Sequence, residues 1–154
     1  MDDLSTDLRN RLQRLNADLA DNSIEPQQVV WLACELLVAG LDSPALQELA
    51  GESPTRLAKR DADVLVEQVL LELGITPMTE EEADWYLGRQ VALQVVAGAP
   101  RAEWDRAAWR ITLRVNDEED GVYWALARYK TDPEPFLGYV REYLRLAGER
   151  LTGS

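Results

Sequence analysis

No histidine occurs among the 154 residues of the sequence. Histidine is the commonest general base in enzymes and the commonest metal ligand, and it activates the nucleophile of Ser-His and Cys-His sites. Its absence removes all of these arrangements at once. We therefore predict a protein that is not an enzyme, with no catalytic residues, no metal site and no cofactor.

Cysteine is nearly as scarce, since Cys34 is the sole example. A single cysteine cannot form an internal disulfide and is typical of a reducing compartment, which favours a cytoplasmic protein. Cys34 lies within the apolar stretch VVWLACELLVA, where a thiol usually behaves as a small hydrophobic side chain. We expect this helix to be central and buried, and the thiol to be structural.

Long apolar runs are also missing. The longest one, Val29 to Leu37, is interrupted by Glu35, and the first ten residues carry acids where a secretion signal needs bases. We expect neither an export signal nor a membrane span. Glycine-rich phosphate loops of the forms G-x-x-x-x-G-K and G-x-G-x-x-G are absent, so no nucleotide site is predicted.

Two acidic segments resemble metal sites in part. The E-x-x-D spacing of Glu81 and Asp84 resembles one helix of MazG-type nucleotide pyrophosphohydrolases, but the E-x-x-E helix of that family has no counterpart. The turn from Asn116 to Gly121 resembles the start of an EF-hand loop, yet Ala127 occupies the position of the bidentate acid. We favour plain explanations, in which the first acids stabilise a helix N-terminus and the second segment is a solvated turn.

The sequence does contain clear helical periodicity. Leucines at positions 4, 8, 12, 15 and 19 recur every three or four residues, which places them on one helical face. Proline, glycine and capping signals bound further helices at about 26–40, 44–51, 57–73, 79–97, 104–115, 122–129 and 136–151. No segment alternates like a strand. We predict an all-α fold, a compact bundle of about seven or eight helices, forming one domain over residues 1–154.

Acidic charge is unevenly distributed along the chain. The net charge is −12, and residues 16–88 contain fifteen acids against three bases, whereas the rest of the chain is balanced. Such a charge repels phosphate backbones and anionic lipid and attracts basic protein surfaces. We therefore expect a basic protein partner, no nucleic acid and no membrane. A solvated face that only keeps the protein soluble is the alternative.

A candidate binding site follows the capping box of Thr79 and Glu82, where carboxylates precede two aromatic residues. Aromatic anchors framed by acids are typical of binding hot spots. A tryptophan on an amphipathic helix nevertheless packs in the core more often than at an interface, and we favour the core for Trp85. The predicted partner-binding residues are Glu80, Glu81, Glu82, Asp84, Trp85 and Tyr86.

The segment WLACELLVAGLDSPALQELAGESP, from Trp31 to Pro54, resembles one found in small uncharacterised helical proteins of high-GC bacteria. Proteins of this kind are similar in character to immunity proteins and antitoxins, which implies neutralisation of a basic toxin or enzyme. The charge distribution and the missing catalytic residues favour a cytoplasmic inhibitor of this kind, which we expect to be a monomer or a weak homo-oligomer. The alternatives are a helical regulatory or scaffold subunit and, least favoured, a carboxylate metal enzyme.

Overall fold

The structure, a computed structural model, describes residues 4–98, 100–114, 121–128 and 131–152. Within these ranges the fold is all-α, with eight helices and no strand. The helices are α1 (Thr6–Ala20), α2 (Pro26–Val38), α3 (Pro44–Ala50), α4 (Lys59–Glu72), α5 (Glu80–Val96), α6 (Arg101–Arg114), α7 (Gly121–Ala127) and α8 (Glu134–Thr152). The predicted fold class is confirmed.

The chain divides into two compact units, Met1–Ala83 and Asp84–Ser154. The sequence predicts one domain with one core, whereas the structure has two hydrophobic clusters of buried residues, one within each unit. Helix α5 carries the boundary, because its residues 80–83 belong to the first unit and its remaining residues to the second. We call Met1–Ala83 unit 1 and Asp84–Ser154 unit 2.

Unit 1 is built on the apolar faces of α1 to α4. Prolines at the first turns of α2 and α3 start these helices where the sequence predicts, and Ser43 caps α3 by accepting a hydrogen bond from the amide of Leu46. The sequence predicts that the next helix begins at about residue 57. Instead the amide of Leu57 donates to the carbonyl of Ser53 in a turn, and α4 begins only at Lys59.

One buried polar residue fixes the segment between α4 and α5. The side chain of Asn16, on α1, donates to the carbonyl of Thr76 (3.1 Å) and accepts from the amide of Met78 (2.9 Å). Asn16 is almost fully buried, so these two bonds satisfy an amide that water cannot reach. The segment that precedes α5 is thereby held against α1.

Helix α2 differs from the expectation of a fully buried helix. Its buried side chains are Val29, Val30, Leu32, Ala33 and Leu36. Cys34 is exposed, and its thiol donates to the carbonyl of Ala50 at 3.6 Å. The prediction of a buried cysteine is therefore wrong. An apolar run on a helix does not state which of its side chains become buried, and here Cys34 remains exposed.

Unit 2 has an aromatic core. The rings of Trp104 and Phe136 stack with their centroids 5.0 Å apart, and those of Trp85 and Tyr143 lie 5.2 Å apart in a tilted arrangement. These contacts join α5 and α6 to α8, and such aromatic pairs stabilise a core beyond the area that they bury.

Candidate partner-binding surfaces

The six predicted binding residues occupy the first two turns of α5, where Thr79 and Glu82 form the predicted capping box. The amide of Glu82 donates to the Thr79 hydroxyl at 3.1 Å, and the Glu82 carboxylate accepts from the Thr79 amide at 3.3 Å. Both interactions satisfy amides left free at a helix N-terminus. Glu82 is thus engaged in starting the helix, whereas Glu80 and Glu81 are exposed.

Asp84 is engaged in a different way. Its carboxylate accepts a hydrogen bond from Arg110 on α6, and both side chains are mostly removed from solvent. A partly buried ion pair of this kind is costly to break from one side, because the remaining charge loses its partner without regaining full hydration. Replacing Asp84 therefore changes the stability of unit 2 as well as the surface charge.

The two aromatic members of the predicted site lie inside the protein. Trp85 is only 4% exposed and Tyr86 only 8% exposed. The ring of Trp85 packs against Tyr143 within the core of unit 2. The six residues therefore do not form one exposed face, and the accessible acids among them are Glu80 and Glu81, which belong to unit 1.

The uneven charge distribution of the sequence coincides with the structural division. Unit 1 contains 17 acidic and 6 basic residues, a net charge of −11, whereas unit 2 contains 11 acidic and 10 basic residues, a net charge of −1. Most acidic side chains of unit 1 described by the structure are exposed. One structural unit thus carries almost the whole excess of negative charge.

Sequence reasoning missed an exposed apolar face on α2. Trp31 is 54% exposed and Val38 is 90% exposed, and the exposed Cys34 lies between them along the helix. Spacings of three and four residues place these three side chains on the same side of α2. We call them the α2 stripe. Glu35 adjoins the stripe, and its place beside Cys34 was a sequence signal for a solvent-facing side.

A groove between α1 and α2 adjoins the α2 stripe. It has a volume of about 450 Å³ and is lined by Asp7, Leu8, Arg11, Cys34, Glu35 and Val38. Arg11 forms an ion pair with Glu35 across the groove and lies 3.9 Å from the carboxylate of Asp7. The groove therefore combines apolar side chains with a charged rim in which two acids share one base.

A second groove of about 410 Å³ lies between the other ends of α1 and α2, around Arg14, Asp18, Ser23, Glu25 and Gln28. Burial raises the pKa of the Asp18 carboxyl, although the hydrogen bond from Arg14 (3.0 Å) acts in the opposite direction. Both guanidinium groups at the seam, Arg11 and Arg14, already have carboxylate partners. These two cations are therefore already neutralised by protein carboxylates rather than presented to an anionic ligand.

Of the two segments that resemble a metal site, the one with the E-x-x-D spacing lies within the described residues. Among the residues that the structure describes, no group of three or more acidic or cysteine side chains is placed to hold a metal ion. Asp84 of the E-x-x-D spacing is paired with Arg110. The segment compared with an EF-hand, residues 116–120, lies outside the described residues.

No protein-family model, curated protein or solved structure matches the chain. Every helix in the described ranges is too short or too polar to cross a membrane.

Proposed function

We propose that this protein is a non-catalytic binding protein of the cytoplasm, an immunity-type inhibitor that neutralises a basic toxin or enzyme through unit 1. The observation that carries the proposal is the difference in net charge, −11 on unit 1 against −1 on unit 2. Charge that only maintained solubility would not need to be concentrated in one unit. A basic partner gains from this concentration in both encounter rate and selectivity.

The physical consequence is electrostatic steering. A surface of one sign accelerates the association of an oppositely charged protein, and the acceleration weakens as salt screens the charges. It also repels acidic competitors and nucleic acid. The inhibitor blocks its target by covering the target's basic active site, so it needs no reactive group of its own.

Charge reversal in the two units tests the proposal. Affinity capture from the native host at low salt supplies the basic partner, and its association with purified protein is followed across a salt series. The unit 1 variant is Glu80→Lys with Glu81→Lys, which leaves the capping box and the Asp84 ion pair intact. The unit 2 control is Asp105→Lys with Glu149→Lys, which changes the net charge equally.

We expect the unit 1 variant to lower the association rate constant about tenfold at low salt and to flatten its salt dependence. The control should change the rate constant much less. Equal effects of the two variants, or association that is insensitive to salt in the wild type, would contradict the proposal.

A regulatory or scaffold subunit is the second candidate, and one observation favours it. Leu93, Val96 and Trp109 of unit 2 are exposed apolar side chains, of a kind that helical subunits bury on assembly. Sedimentation of the purified protein separates the candidates. A stable homo-oligomer that persists at high salt indicates a scaffold, and a monomer indicates the inhibitor.

A further inference from the structure

Within unit 1, the α2 stripe is an exposed surface with the composition of a binding hot spot. Tryptophan is the residue most enriched at such positions, and apolar centres with a charged rim are the usual anatomy of protein interfaces. Trp31, Cys34 and Val38 supply the apolar centre, and the groove between α1 and α2 extends it to Leu8. Asp7 and Glu35 supply the rim.

The charge of the surroundings determines which occupant fits. A second copy of this chain would bring one unit of charge −11 against another, which opposes association through this face. A basic segment instead gains from the whole field of unit 1. At the rim, its lysine or arginine side chains meet Asp7 and Glu35, which share the guanidinium of Arg11 as a counter-charge.

The shape of the surface indicates the form of the occupant. The stripe runs over two helical turns of α2 and continues along the seam between two helices, a surface on which an amphipathic helix can lay its apolar side. We infer that the α2 stripe and the adjoining groove bind a basic amphipathic helix of the partner. The inference rests on the proposed function and specifies which surface of unit 1 makes the contact.

The native cysteine supplies a direct reporter, because Cys34 is exposed, lies in the middle of the stripe and is the sole thiol of the chain. The rate of its alkylation by a small neutral reagent is measured with and without a synthetic peptide of about five helical turns. The peptide has leucines on one face and lysines and arginines on the other. A second peptide has the same leucines and glutamates in place of the bases.

We expect the basic peptide at saturation to slow alkylation of Cys34 at least tenfold and the acidic peptide to leave it unchanged. Trp31→Ala and Val38→Ser should each raise the peptide concentration needed for half-protection about tenfold, every rate being normalised to that of the same variant without peptide. Trp109→Ala is the matched control, since Trp109 is 53% exposed but lies in unit 2. It should leave protection unchanged.

Three results would overturn the inference: no protection by the basic peptide, equal protection by the acidic peptide, or equal effects of Trp31→Ala and Trp109→Ala. Val38 is almost fully exposed, so Val38→Ser tests the surface even if Trp31→Ala impairs folding. A captured basic partner that binds with steep salt dependence but leaves Cys34 alkylation unchanged overturns this surface while the proposed function stands.

Discussion

Gly88 and Tyr143 are packed so closely that no side chain fits at position 88. A Cβ atom there would overlap the Tyr143 hydroxyl and lie 2.8 Å from Cζ of the same ring. The absence of a side chain on α5 thus lets the Tyr143 ring of α8 lie against the helix. This contact belongs to the core of unit 2, beside the Trp85 ring.

Gly88→Ala should therefore destabilise unit 2, by about 1–3 kcal/mol, because the methyl group forces the tyrosine or the helix to move. Chemical denaturation followed by tryptophan fluorescence measures the change. Gly138→Ala is the control, since a Cβ at position 138 meets nothing within 4 Å. It should stabilise α8 by roughly 0.5–1 kcal/mol through helix propensity alone. An unchanged or raised stability of Gly88→Ala would show that the close contact does not exist in solution.

Asn16→Ala should lower the stability of unit 1 by about 1–3 kcal/mol, because it leaves the carbonyl of Thr76 and the amide of Met78 without their partner. Hydrogen exchange at the Met78 amide should accelerate in parallel. Gln13→Ala, an exposed position on the same helix, should leave both quantities nearly unchanged. If the Met78 amide remains equally protected in Asn16→Ala, the side chain does not hold this segment.

Thr79→Ala should cost about 1 kcal/mol of stability, because it removes the acceptor for the Glu82 amide at the start of α5. Glu80→Gln with Glu81→Gln should cost about 0.5 kcal/mol or less at moderate salt, since salt screens the interaction of exposed acids with the helix N-terminus. The same double variant should slow association with a basic partner. Thermal melts show which residues stabilise the start of α5, and association rates show which residues attract the partner. Equal melting temperatures for Thr79→Ala and wild type would refute the capping role.

The stability of wild type relative to Asp18→Asn should depend on pH. Burial raises the pKa of Asp18 above its ordinary value of 3.8, so the folded state holds this proton more tightly than the unfolded state. The resulting stabilisation is fully present below pH 3.8 and is lost as the pH rises through the folded-state pKa. Denaturation at about pH 3 and about pH 7 should show wild type losing stability relative to the variant as the pH rises. The opposite trend would mean that the ion pair with Arg14 outweighs burial.

Local structure could be predicted from the sequence because it depends on residues close together in the chain. The leucine spacing of α1, the prolines that open α2 and α3 and the capping box of α5 all act within a few residues. The start of α4, at Lys59 rather than at about residue 57, is an exception, although its cause is also local. Its turn depends on backbone hydrogen bonds to Ser53, which the Ser-Pro signal does not distinguish from a helix start.

Only part of the candidate site could be predicted from the sequence. Glu80 and Glu81 lie close to Trp85 in the sequence. Position along a helix does not determine, however, which side chains pack against another helix. Tyr143 and Arg110, more than twenty residues away along the chain, bury the indole and pair with Asp84. The exposure of Trp31 was not predicted for the same reason, since α2 has apolar residues on both sides.

The sequence by itself determined the helical class, the starts of α2, α3 and α5 and the excess of acidic charge, because these depend on residue type and on neighbours three or four positions away. Only the tertiary structure decided which apolar side chains are left in water. It left Trp31 and Cys34 exposed, and it packed Trp85 against Tyr143. The physical reason is that burial depends on contacts between distant segments, and these contacts exist only once the helices have packed.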